Sequence, residues 1–336
     1  MSLLVVGFVH NSFGFRMLIR QEPIIIQTNH FMKKPLNYFV LILSGLLVAC
    51  GGTTETVQTT VDATTPEQMP TINVSITEAW STDTVMQTPE SVLYDADNDA
   101  IYVANIGGIN KEGQDGDGFI SKLAPDGSVT TLKWSTGLND PKGMGYYENT
   151  LYVTDITDIV AIDLATGEVR NRYPVEGASF LNDITVSSNG TVFATDSDTD
   201  KIHQLQNEQV TTWMSDSSLQ RPNGLFAEDD RILLASAGGG FLAPINMSNK
   251  TVEAHWIDEI PSADGIIKTD NGDYIVSTWQ GEVHYVDPEN NQSQKLLDTK
   301  AEKINAADIG YIASQNLLLV PTFNDNRVVA YKVTKN

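Results

Sequence analysis

Between residues 89 and 321 one pattern recurs six times: a short apolar run, a polar turn and a second apolar run. The units open as PESVLYDADNDAIYVAN at 89, PKGMGYYENTLYVTD at 141, LNDITVSSNGTVFATD at 181, PNGLFAEDDRILLAS at 222, ADGIIKTDNGDYIVST at 263 and ADIGYIASQNLLLVP at 307. Apolar positions alternate or run unbroken, as in half-buried and fully buried strands, and turn residues such as SSNG and TDNG separate them. Two more strands follow in each unit, for example TDIVAIDL and EVRNRYPV, with almost no helical periodicity. Four strands repeated about every 40 residues make the blades of a β-propeller.

The two ends of the repeat region complete each other. After Asp308 only three strands remain: DIGYIA, NLLLVP and RVVAYKV. The missing fourth is INVSITEAWST at 72–82, which ends in Trp80 as the outer strands elsewhere end in Trp134, Trp213 and Trp256. The prediction is an all-β, six-bladed propeller over 72–336, four antiparallel strands per blade, closed by the N-terminal strand so that no long sheet edge is left open.

Residues 1–71 read differently. Met32, Lys33 and Lys34, an apolar run over 38–48, then Ala49 and Cys50 form a secretory signal. The run is too short to span a hydrocarbon layer of about 30 Å. Residues 1–31 are then upstream sequence, 32–49 the signal peptide, and 50–71, rich in Thr, Gly and Pro, a flexible tether. Leu47-Val48-Ala49-Cys50 resembles the lipobox of bacterial lipoproteins. That resemblance implies lipidation at Cys50 and a lipid anchor in the cell envelope; Gly51 after the cysteine points to the outer membrane. Cys50 is the sole cysteine, which excludes an internal disulfide, thiol catalysis and cysteine metal sites.

The net charge is −22 and becomes −25 once Arg16, Arg20, Glu22, Lys33 and Lys34 leave with residues 1–49. Such a surface repels nucleic acid and anionic headgroups. The expectation is a monomer acting on a small molecule and touching the membrane only through its anchor.

The candidate chemistry lies in the second residue of each unit: Glu90, Lys142, Asn182, Asn223, Asp264 and Asp308, at intervals of 52, 40, 41, 41 and 44 residues. The first strand of each blade lines the channel, so these residues should ring one mouth of it. Glu90, Asn182, Asn223 and Asp264 are all oxygen donors and suit a hard divalent cation such as calcium, whose charge the two carboxylates cancel. Asn and Asp also favour bends, but no turn requires a glutamate. Lys142 either repels the metal or points at an anionic substrate or a developing oxyanion; Asp308 either neutralises Lys142 or adds a ligand.

Glu90 in PESV, Asn182-Asp183 in LNDI, Pro222-Asn223-Gly224 and Asp264-Gly265 resemble the four calcium-ligand motifs of the senescence marker protein/gluconolactonase group, to which paraoxonases and squid-type diisopropyl fluorophosphatase are related. The resemblance covers about residues 85–336. It implies a catalytic calcium held by Glu90, Asn182, Asn223 and Asp264, hydrolysis of lactones, esters or phosphotriesters, and Asp264 as base or nucleophile. The sugar-lactonase branch has a substrate-binding arginine where this chain has Phe180. His203, His255 and His284 fall in middle or outer strands and read as surface residues, unlike the channel histidines of the paraoxonase branch.

Other motifs fail. The runs at 95–99 and 196–200 begin like EF-hand loops, but Ala100 and Lys201 stand at the glycine position, so both read as solvated turns. Gly238-Gly239-Gly240 lacks a phosphate-loop lysine, and there is no Gly-x-Ser-x-Gly elbow. The alternative to a hydrolase is a non-catalytic, surface-tethered binding module.

Overall fold

The computed structural model describes residues 71–108 and 113–336 and, before them, the backbone of two short strands, Val5–Gly7 and Leu18–Arg20, paired antiparallel. The signal segment 32–49, Cys50 and the tether to residue 70 lie outside the described residues. From Val74 onward the strands form six four-stranded antiparallel sheets, with no α-helix among the described residues. Their innermost strands are Pro89–Asp95, Pro141–Tyr147, Leu181–Val186, Pro222–Ala227, Ala263–Lys268 and the short Gly310–Ile312, here blades one to six.

Closure is as the sequence predicts. Val74–Ser81 pairs antiparallel with Arg327–Lys335 as the outer strand of blade six. At the inner edge Ser91 bridges Asp308, through Asp308 N–H donating to the Glu90 carbonyl and Val92 N–H to the Asp308 carbonyl. One ring thus joins first blade to last.

Burial follows position within the blade. Second strands such as AIYVAN (100–105) and LLLVPT (317–322) are buried throughout, while the outer VRNRYP (169–174) is mostly exposed. Facing blades interlock through these runs: Tyr102 and Ile120 pack with Leu151, Val153 and Val160. The outer tryptophans reach the next blade. Trp80 lies against Gly127, where an added Cβ would fall 2.5 Å from its ring, and Lys250 donates to the Trp213 carbonyl at 2.8 Å. Trp256 departs from the pattern. The outer strand of blade four is only Thr251–Val252, and Trp256 continues it through an N–H donated to the Leu242 carbonyl.

The feature that positions the site is a break in register. In blades two to five, inner and second strands pair at the first residue of the inner strand, then not again until the fourth: Pro141 then Met144, Leu181 then Ile184, Pro222 then Leu225, Ala263 then Ile266. In blade one the break skips Glu90 alone. A bulge releases residues from the ladder and re-aims their side chains. Here it releases Glu90, Lys142, Asn182, Asn223 and Asp264.

The glycines after them answer to close approach between blades and not to turns. A Cβ on Gly224 would sit 1.9 Å from the Asp264 carbonyl oxygen, and one on Gly143 2.4 Å from the Asp183 Cα. The bend preference of Asn-Gly and Asp-Gly therefore does not explain these pairs.

Blade six corrects the predicted ring. Asp308 bridges Ser91, one residue beyond Glu90, and stands beside Gly265, one residue beyond Asp264. Ala307 is instead level with Asn182: the Ser277 hydroxyl donates to the Ala307 carbonyl as the Thr154 hydroxyl does to that of Asn182. The sixth ring position is an alanine, and Asp308 lies one tier deeper, with Asp183. The shift was invisible in sequence because Ala307-Asp308-Ile309 aligns as readily with Ala263-Asp264-Gly265 as with Asn182-Asp183-Ile184.

Candidate functional site

In blades one to three the ring residue is carried by an anchored loop. The last residue of the second strand takes the N–H groups of the segment entering its own blade. Asn105 Oδ1 accepts from Gln87 (2.9 Å), Asp155 Oδ1 from Asn139 and Asp140 (2.9 and 2.8 Å), and Asp196 Oδ1 from Phe180 (2.8 Å). The EF-hand-like runs are turns, as expected: 96–99 is exposed, and Asp198 is exposed within 197–200. Their first residues, Asp95 and Asp196, are fully buried, Asp95 holding its own turn through Asp97 and Asn98. Burial raises the Asp196 carboxyl, but His203, the Thr199 hydroxyl and the Phe180 N–H outweigh it and hold it at about 2. His203 is also buried, contrary to the surface reading, with Nε2 3.7 Å from Asp196 Oδ2 and Nδ1 3.3 Å from the Thr212 hydroxyl. It belongs to the anchor and does not line the cavity.

Inside this frame lies a cavity of about 550 Å³ at one mouth of the channel. Its wall contains Glu90, Lys142, Asn182, Asn223 and Asp264, together with Phe180. All four predicted ligand residues are thus brought to one space, and Lys142 and Phe180 with them. Asp308 is not among the lining residues. It opens toward the other end of the channel with Asp183 and hydrogen-bonds Ser91 Oγ at 2.6 Å.

Three oxygens in this wall are buried and have no hydrogen-bond partner: Glu90 Oε2, Asn223 Oδ1 and Asp264 Oδ1. Buried polar atoms are ordinarily paired, and each orphan costs about 1–3 kcal/mol. Three orphans from three blades at one cavity are a set of acceptors awaiting a donor or a cation. The fourth predicted ligand, Asn182, is half-buried and turns its amide N–H toward Ser197 Oγ at 3.4 Å, leaving its carbonyl oxygen for the cavity. Among the described residues no three carboxylate, imidazole or thiolate groups gather at one point; the ring instead combines two carboxylates with two amides.

The electrostatics agree with the orphan oxygens. Burial pushes the Glu90 carboxyl up to about 8; Lys142 pulls it down, while Asp308 and Asp140 push it further up. Burial also raises Asp264 well above the carboxylate range, helped by Glu90 and Asp308 and opposed by a hydrogen bond from Asn223. Beneath them burial raises Asp183 strongly and Asp308 to about 7. Burial thus favours the protonated form of these carboxyls. A divalent ion reverses that by favouring the charged form.

Also in the wall, and not singled out as site residues by the sequence, are Asp140, Arg221, and Ile106, Trp279 and Phe323. The last three share a readable register, since each directly follows the second strand of its blade. The repeat fixes that position, but its residue types vary too much to announce a site.

No known protein family's sequence profile matches the chain, and no curated protein matches it in sequence. Solved structures do resemble it. A streptogramin B lyase matches 79% of this chain and 98% of its own at 13% identity, TM-score 0.56. A catalytically inactive histidine-to-alanine variant of virginiamycin B lyase from Staphylococcus aureus, with quinupristin, matches 77% and 99% at 13% identity, TM-score 0.53. A nidogen/laminin complex matches 66% and 84% at 15% identity, TM-score 0.54. At these identities the likeness is one of fold, and it does not by itself carry a function to this chain.

Proposed function

We propose that this protein is a calcium-dependent hydrolase of lactones or esters, with phosphotriesters as related substrates, of the senescence marker protein/gluconolactonase type. The observation that carries this reading is the trio of unpartnered buried oxygens, Glu90 Oε2, Asn223 Oδ1 and Asp264 Oδ1, at one cavity. Their chemistry fits a hard divalent cation, all oxygen with two carboxylates to match its charge, and Asn182 supplies the fourth donor. When bound, calcium supplies a Lewis acid for the substrate carbonyl or phosphoryl oxygen.

The chain's own residues divide the remaining work. Glu90, Asn182 and Asn223 fix the position of the ion. Asp264, with Oδ1 unpartnered, takes the proton of an attacking water or attacks directly. The loop anchors Asp155 and Asp196 hold the surrounding wall in place. No histidine is among the residues lining the cavity. A carboxylate is the base available in this wall.

The test is a panel of lactones and aryl esters assayed with calcium and with a chelator. Turnover that is lost on chelation and regained with calcium is expected; a panel without chelator-sensitive turnover contradicts the reading. A second reading, a tethered binding module, draws on the half-exposed Trp279 against Phe323 at the mouth. We place the protein on the envelope through lipidated Cys50: Cys50→Ser should abolish palmitate labelling, and labelling that survives the substitution contradicts the anchor.

A further inference from the structure

The second blade puts a lysine where its neighbours put ligands. Lys142 is 6% exposed and stands between Glu90 and Asn182 in blade order. An ammonium has three N–H donors, and buried donors are normally matched. The hydrogen bond described for Lys142 Nζ is a long one, 3.4 Å to the Asp140 carbonyl; the Asp140 carboxylate is 4.0 Å away, and the Phe180 ring lies 4.8 Å beneath the ammonium. A lysine kept for a structural ion pair would sit closer to its carboxylate. This one lines the cavity with donor capacity to spare.

The wall is divided by blade. Blade two and the segment entering blade four contribute Lys142 and Arg221, the latter largely exposed and 3.5 Å from Asp198. The opposite arc, blades five, six and one, contributes Trp279, Phe323 and Ile106. Trp279 and Phe323 meet edge to face with centroids 6.0 Å apart, and Trp279 is 45% exposed, an uncovered apolar surface at the mouth. A polyhydroxylated ligand would leave that arc unmatched, and a neutral ligand would leave the ammonium with only its long contacts to Asp140 and the Phe180 ring.

We propose that the cavity selects amphiphilic anions, ligands with a carboxylate toward Lys142 and an apolar, ring-sized group against Trp279 and Phe323. This rests on the hydrolase reading and narrows it: the substrates are esters or lactones that carry or release such an acid, and Lys142 is the specificity-determining residue.

Binding without turnover tests it, with 3-phenylpropionate, 3-phenylpropanol and propionate titrated calorimetrically into the calcium-supplemented protein. Phenylpropionate should bind about tenfold or more tightly than either partner compound, one charged hydrogen bond or one buried ring being lost in each. Lys142→Met should bring the acid and the alcohol to within about twofold, with Lys142→Arg restoring the preference. Trp279→Ala should instead bring phenylpropionate down toward propionate. Equal affinity for acid and alcohol in the wild type overturns the proposal, and this holds even where Lys142→Met fails to fold. A preference that survives Lys142→Met in a folded protein overturns it too, since the metal and not the lysine would then hold the anion. The hydrolase reading fails on a different result, the absence of chelator-sensitive turnover, so the two failures are distinguishable.

Discussion

Glu90 and Glu282 are almost equally buried, 5% and 7% exposed, yet their surroundings are opposite. Glu282, in the third strand of blade five, receives Lys295 Nζ at 2.9 Å, Lys300 Nζ and His284 Nε2 at 3.2 Å. Burial raises its carboxyl, but these partners outweigh burial and hold it at about 2. Glu90 keeps an unpartnered oxygen, and burial lifts it to about 8. This chain can satisfy a buried carboxylate with side chains, and on the blade's outer face it does so. At the ring it does not: Glu90, Asn223 and Asp264 each keep an unpartnered oxygen, and all three line one cavity. On the proposed reading, the difference separates a carboxylate that holds the fold from one kept for a ligand.

The comparison is broken or sharpened by substitution, and the largest effect falls on activity. Asp264→Asn keeps a coordinating oxygen but removes the base, so kcat should fall by about 10²–10⁴ with the melting temperature little changed. Activity within a few-fold of wild type on the responsive ester would return Asp264 to a purely ligating role. Next comes metal affinity. Glu90→Gln removes one of two neutralising charges and should weaken calcium binding by about tenfold or more, whereas Glu282→Gln should leave it unchanged.

Stability in chelator should then separate the pair by sign. Glu282→Gln strips a partner from two lysines and a histidine and should cost about 1 kcal/mol. Glu90→Gln replaces a buried acid that has one unpartnered oxygen and should be neutral or stabilising. Destabilisation of both by the same amount would erase the distinction.

The smallest effect is a pH slope. Glu90 is raised in the folded state, so its contribution is fully present below the unfolded value near 4.5 and is lost as pH rises through about 8. Glu282 is lowered, so its contribution is present above about 4.5 and lost as pH falls toward 2. The metal-free protein should therefore gain a few degrees of melting temperature from pH 8 to pH 5, and added calcium should flatten that gain. A metal-free melting temperature that is flat or rising with pH across that window would deny the raised ring carboxyls.

Much of this was legible in the chain, for identifiable reasons. Six apolar-turn-apolar units and a tryptophan-ended strand at 72–82 announce a closed propeller, because strand periodicity and edge closure are local and repeated signals. Glu90, Lys142, Asn182, Asn223 and Asp264 were legible as a ring because five blades share one register. Three things were not. Asp308 was placed one tier too high, since a three-residue match cannot distinguish adjacent tiers. The bulges that free the ring residues depend on pairing with the second strand, which no single strand reveals. The arc of Ile106, Trp279 and Phe323 comes from different blades and residue types, and only closure of the ring assembles it.

The most direct test of the central claim is calorimetric titration of calcium into chelator-stripped protein at neutral pH, wild type beside the Glu90→Gln/Asp264→Asn double variant. Expected is one calcium bound per chain with release of protons, since the ring carboxyls must ionise to receive it, and loss of that binding in a double variant that still melts cooperatively. No binding at millimolar calcium, or binding undiminished in the double variant, would contradict the assignment of these oxygens as a metal centre.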